Sequence, residues 1–93
     1  FTSLLQGFIE KSDELIEDIN NAATQSNIAA IGARGHELKG MAGNFGMKLI
    51  SGIAGNIEKY AKTSKKDDAI LQAGKLNAAN EQTKAAFKIW VDQ

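Results

Sequence analysis

The side chain best equipped for nucleophilic chemistry near neutral pH is an imidazole, His36, the only histidine among 93 residues that include no cysteine. A neutral imidazole offers one ring nitrogen as a donor and the other as a lone pair, so it serves as nucleophile, general base or metal ligand. With one histidine and no thiolate, a structural zinc site lacks its ligands, and no metal is expected on this chain. His36-Glu37 begins like a zinc-protease string, but Gly40 stands where the second histidine is required. The Gly74-Lys75 pair does not make a phosphate-cradling P-loop, because the glycine five positions earlier is missing and Leu76 fills the hydroxyl slot. A Ser-His-Asp hydrolase is compatible with the residue types, yet no nucleophile elbow accompanies the serines.

The surroundings of His36 are unusual for a helix. Gly32, Gly35, Gly40 and Gly43 fall within one stretch that otherwise reads as helical. Each interior glycine costs about 1 kcal/mol relative to alanine, so stability alone does not account for them. At about 100° per residue, Gly32, Gly40 and Gly43 lie within about 40° of His36, while Ile31, Leu38 and Phe45 take the far side. His36 is thus expected in a strip cleared of side chains, with Lys39 one turn along on the same side. Close helix packing is the alternative use of such glycines.

Four helical stretches position these residues. Helix A is expected from Ser3 to Ala23, with Leu5, Phe8, Ser12, Leu15 and Ile19 on one face, widened by Ile9 and Ile16. Thr24-Gln25-Ser26-Asn27 supplies a loop and an N-cap. Helix B follows from Ile28 to Phe45, its apolar stripe Ile31, Leu38, Met41, Ala42 and Phe45, with Gly46 as a left-handed cap. Helix C carries Ile50, Ile53, Ala54, Ile57 and Ala61. Helix D opens at Asp67 and Asp68 and shows Leu71, Ala78, Ala85 and Ile89 on one face beside Trp90. No proline and no β-branched cluster suggests a sheet. The expected fold is all-α, one domain over residues 1–93, as an antiparallel up-down-up-down four-helix bundle.

The string His36-Glu37-Leu38-Lys39-Gly40-Met41-Ala42-Gly43-Asn44-Phe45-Gly46 resembles the signature of the histidine-containing phosphotransfer (HPt) family of bacterial two-component phosphorelays. That signature is an acceptor His, Lys three on, Gly four on, a small residue six on and Gly ten on. The likeness is strongest from Ile31 to Ala61; Arg34, toward the core side, departs from the pattern. The resemblance implies that His36 accepts and donates a phosphoryl group, that Lys39 neutralises its charge, and that Gly40 keeps a docking surface open, with Gly43 and Gly32 beside it. It also implies a ring-holding Gln or Glu on the next helix, twenty-two residues after the histidine, which is Glu58 here. Helix geometry agrees: from the turn near Gly46, His36 lies about 15 Å back along helix B and Glu58 roughly 17 Å out along helix C, nearly level in a hairpin. A carboxylate there would accept Nδ1–H and turn Nε2 outward.

The partners implied by the resemblance are receiver domains of response regulators or of a hybrid kinase, with any Mg²⁺ on the receiver rather than on this chain. The alternative is a noncatalytic helical adaptor that binds through the glycine-rich face of helix B. Eleven basic and eleven acidic residues cancel, so the footprint of a nucleic-acid binder is missing. No apolar run nears the roughly 18 residues of a membrane span. A start at Phe1 rather than Met points to a piece of a longer protein such as a hybrid sensor histidine kinase, acting in the cytoplasm. In isolation the domain is expected to be a monomer and to have no ATP site.

Overall fold

The computed structural model describes residues 2–45 and 47–92, with side chains described within residues 3–86. Its elements are α1 (Thr2–Thr24), α2 (Ile28–Asn44), α3 (Lys48–Lys62) and α4 (Lys66–Asp92). Short turns join them, so consecutive helices run antiparallel. Each helix packs on two neighbours: α2 and α4 flank α1, α2 and α4 flank α3, and α2 barely meets α4 across the diagonal. The result is an all-α four-helix bundle, as the sequence pattern predicts.

Local chemistry sets the helix ends. The Asn27 side chain accepts from the Ala30 N–H at 3.2 Å and caps α2. Ser26 and Ser64 adopt left-handed backbone angles, with φ of 54° and 58°. Each closes a helix by the Schellman pattern, in which Asn27 N–H reaches the Ala22 carbonyl at 2.9 Å and Lys65 N–H the Tyr60 carbonyl at 2.8 Å. The cap expected at Gly46 lies outside the described residues. Asp67 and Asp68 occupy the first turn of α4, where the helix dipole favours negative charge.

The α1 stripe is as expected: Leu5, Phe8, Ser12, Leu15, Ile16 and Ile19 are all buried. From α2 come Ile31, Leu38 and Ala42, and from α3 come Ile50, Ala54 and Ile57, each of the six fully enclosed. Phe8 stacks against Phe45 with ring centroids 4.6 Å apart, tying α1 to the end of α2.

The inward face of α4 is not the expected one. Ala69, Ala73, Leu76, Ala79 and Asn80 point inward, whereas Leu71 is 63% exposed and Ala78 and Ala85 face out. The placement of Ile89 and Trp90 side chains lies outside the described residues. Leu71 and Leu76 sit about 140° apart on a helix and cannot share a face. Small alanines and a polar anchor decide between them. The Asn80 amide donates to Asp13 at 2.7 Å and its carbonyl oxygen faces the Ser12 hydroxyl at 3.4 Å, while Lys84 reaches Asp13 at 2.9 Å. This α1–α4 network, buried at Ser12 and Asn80 and partly exposed at Asp13 and Lys84, favours the register that satisfies it.

Candidate functional site

The core residues of α2 fix where its polar ones point. With Ile31, Gly35, Leu38 and Ala42 turned inward, His36 emerges toward solvent, its side chain 69% exposed. On α3, Ile57 is enclosed and its neighbour Glu58 is carried to the seam with α2, where it is only 7% exposed. The two helices can approach this closely because of two glycines. A Cβ on Gly35 would stand 2.9 Å from Ile57 Cγ2 and 3.4 Å from the Ala54 carbonyl oxygen. One on Gly32 would stand 2.8 Å from Ala61 Cβ.

The close approach brings four side chains together. His36 Nδ1 lies 2.5 Å from Glu58 Oε2, and Lys39 Nζ donates to Glu58 Oε1 at 2.6 Å. Lys62, one turn beyond Glu58, places its Nζ 3.5 Å from Oε2. The stem of Lys39 reaches across α3 at Gly55, where its Cδ would touch an added Cβ at 3.4 Å. Ser51 Oγ donates to the Lys39 carbonyl at 3.3 Å and helps pin the helix pair.

The hydrogen bond from Lys39, opposed by partial desolvation and aided by His36, holds the Glu58 carboxyl down at about 2. An ionised carboxylate only accepts, so the proton of this contact sits on His36 Nδ1 in the neutral ring. The Nε2 lone pair is then left on the exposed edge. One carboxylate faces two ammonium groups, so the cluster carries a surplus positive charge while the ring is neutral. Among the described residues, no group of three or more His, Cys, Asp or Glu side chains converges as metal ligands would.

His36, Lys39 and Glu58 are thus assembled in one cluster. The glycines divide. Gly40 faces open space and Gly43 has only Ser51 Oγ near, at 3.7 Å, so both keep the surface beside His36 low. Gly32 does not belong to an open strip: Ala61 fills the space its side chain would take, and its smallness serves helix packing. Gly35 has the same use. Arg34 is partly exposed, not core-facing, and pairs with Glu37 at 2.7 Å. Sequence reasoning missed Lys62, although its position four residues after Glu58 is the spacing of a helical ion pair. It also missed the shallow, largely apolar groove beside His36, lined by Ile28, Ala29, Gly32, Ala33 and Ala61.

No curated protein and no solved structure matches the chain. The family model described as Hpt domain matches it over residues 3–86, a span that takes in α2, α3 and the whole His36 cluster. Hpt domains are phosphocarriers that work with receiver domains in phosphorelays, and their four-helix architecture is the one seen here. By that match the chain belongs to the Hpt domain family, and its role is histidine phosphotransfer.

Proposed function

We propose that His36 is the phosphoryl acceptor and donor of this chain, receiving the group from an aspartyl phosphate of one receiver domain and passing it to the receiver domain of a response regulator. The observation that carries this reading is the contact of His36 Nδ1 with the ionised, buried Glu58, in a ring otherwise exposed. It leaves Nε2 as the free nucleophilic nitrogen. In the transfer, the Nε2 lone pair forms a bond to phosphorus while the bond to the aspartyl oxygen breaks, and the aspartate leaves as a carboxylate. The ring becomes cationic as the N–P bond forms, and Glu58 on Nδ1–H balances that charge. Phosphoryl transfer has a loose transition state, so positioning and charge do most of the work. Lys39 supplies charge beside the ring; Gly40 and Gly43 leave room for the partner.

Mg²⁺ in this reading belongs to the receiver domain, and this chain contributes no ligand and no ATP site. The domain acts as a monomeric carrier within a cytoplasmic hybrid sensor histidine kinase; no described helix is long and apolar enough to cross a membrane. Incubation with a receiver domain phosphorylated on its aspartate tests the proposal. Label should move to His36 and be lost in acid but kept in alkali, as a phosphoramidate is. Stable binding without label would favour a noncatalytic adaptor instead.

A further inference from the structure

Lys62 appears in neither the apolar pattern nor the His36 signature, yet it touches the same carboxylate oxygen that holds the imidazole. Its ammonium lies 3.5 Å from Glu58 Oε2, against 2.6 Å for Lys39 on Oε1. Its side chain is 74% exposed, against 43% for Lys39. Of the two cations it is therefore the more weakly held. It also lines the groove in which the His36 ring stands. Of the two carboxylates on that groove, Glu58 is held by Lys39 and Glu37 is already compensated by Arg34.

We propose that Lys62 is a second phosphoryl-binding residue: resting on Glu58 while His36 is free, it swings to the phosphoryl group once His36 carries it. The inference rests on His36 being the acceptor. The charges favour the exchange. A phosphoryl group adds nearly two negative charges at neutral pH. The resting cluster has one uncompensated positive charge, and the long Lys62 contact is the cheaper one to break. Lys39 keeps its shorter bond and so keeps Glu58 in place on Nδ1. The outer bonds of a lysine side chain rotate freely at such an exposure, so no backbone movement is needed.

Phosphoramidate serves as the test donor, because it needs no partner protein. Nε2 attacks its phosphorus, the P–N bond breaks, and ammonia leaves. The phosphorylated domain is then titrated by ³¹P NMR as wild type, Lys62→Ala, Lys62→Arg and, as a control on α4, Lys75→Ala. A cation beside the phosphoryl group favours its dianion. The titration midpoint should therefore rise by a few tenths of a pH unit in Lys62→Ala, return in Lys62→Arg, and stay at the wild-type value in Lys75→Ala. A role confined to helix stability leaves that midpoint unchanged. Label on His36 with the same midpoint in Lys62→Ala and wild type overturns the role of Lys62 alone. Absence of label on wild-type His36 overturns the acceptor assignment, and this inference with it.

Discussion

Replacing Gly40 with glutamine should make the domain more stable and less active at once. A Cβ at Gly40 meets nothing within 4 Å, so the new side chain neither clashes nor displaces a neighbour. Removing an exposed glycine from a helix interior is worth roughly 0.5–1 kcal/mol. For a domain of this size that corresponds to a rise in Tm of about 2–8 °C. The same side chain stands one turn from His36, on the surface a partner must approach to within bonding distance. A misplacement of about 1 Å can cost about a hundredfold in rate. Urea unfolding and the rate of phosphoryl transfer from a receiver, measured on the same protein, read both effects. Gly74→Gln is the control, since Gly74 is equally open but lies on α4: it should gain stability and keep its rate. Gly35→Ala should instead destabilise the domain, losing about 1–3 kcal/mol as Ile57 and the Ala54 carbonyl are pushed away. A destabilised Gly40→Gln protein, or a stabilised one that transfers at the wild-type rate, would refute the reasoning.

His36→Gln should unfold at nearly the wild-type urea concentration and take no label from a phosphorylated receiver; residual label would move the acceptor elsewhere. Lys39→Ala should slow transfer several-fold without stopping it, and an unchanged rate in a single-turnover assay would remove its electrostatic role. The Glu58 carboxyl is depressed from 4.5 to about 2, so the stability it contributes is complete above pH 4.5 and lost as pH falls through about 2. Between urea midpoints at about pH 7 and about pH 3, Glu58→Gln should therefore lose less than the wild type does; an equal loss in both would contradict the depressed carboxyl. Ser26→Gly should raise stability by up to about 1 kcal/mol, because a left-handed backbone strains any residue with a Cβ. A lowered thermal midpoint in that variant would show that the serine contributes more than its backbone geometry.

What the sequence makes legible here depends on residue size. The three-and-four spacing of Leu5, Phe8, Ser12, Leu15 and Ile19 defines the buried face of α1 without ambiguity, and even the serine within it is buried. The level placement of His36 and Glu58 follows from helix rise and a short turn alone. The α4 face is illegible on the same logic, because its inward residues are three alanines, one leucine and an asparagine. An alanine contributes little to a hydrophobic pattern but decides how close two helices come, so the eye is drawn to exposed Leu71. The glycines of α2 fail for a related reason. Gly32 and Gly40 are identical as letters and lie within one helix, yet one is filled by Ala61 and the other faces solvent. Which is which depends on the crossing of α3, and that is set by residues far along the chain.

The division of labour in the bundle follows from the same contrast. α2 gives up helix stability at its glycines, and the two that pack, Gly32 and Gly35, convert the loss into a close approach to α3. That approach is what puts Glu58 within hydrogen-bond reach of His36, so the packing glycines act on the site through the helix spacing they allow. Once there, the carboxylate is held ionised by Lys39 and His36 far below neutral pH. The ring therefore keeps its proton on Nδ1 and its free nitrogen outward whenever it is neutral. Meanwhile α1 and α4 are joined by a network in which buried Ser12 and Asn80 meet the partly exposed Asp13 and Lys84. The α2–α3 seam thus carries core packing and the His36 cluster together, whereas the open face of α2 at Gly40 meets no neighbour, so a side chain added there alters the surface beside His36 without disturbing the packing beneath it.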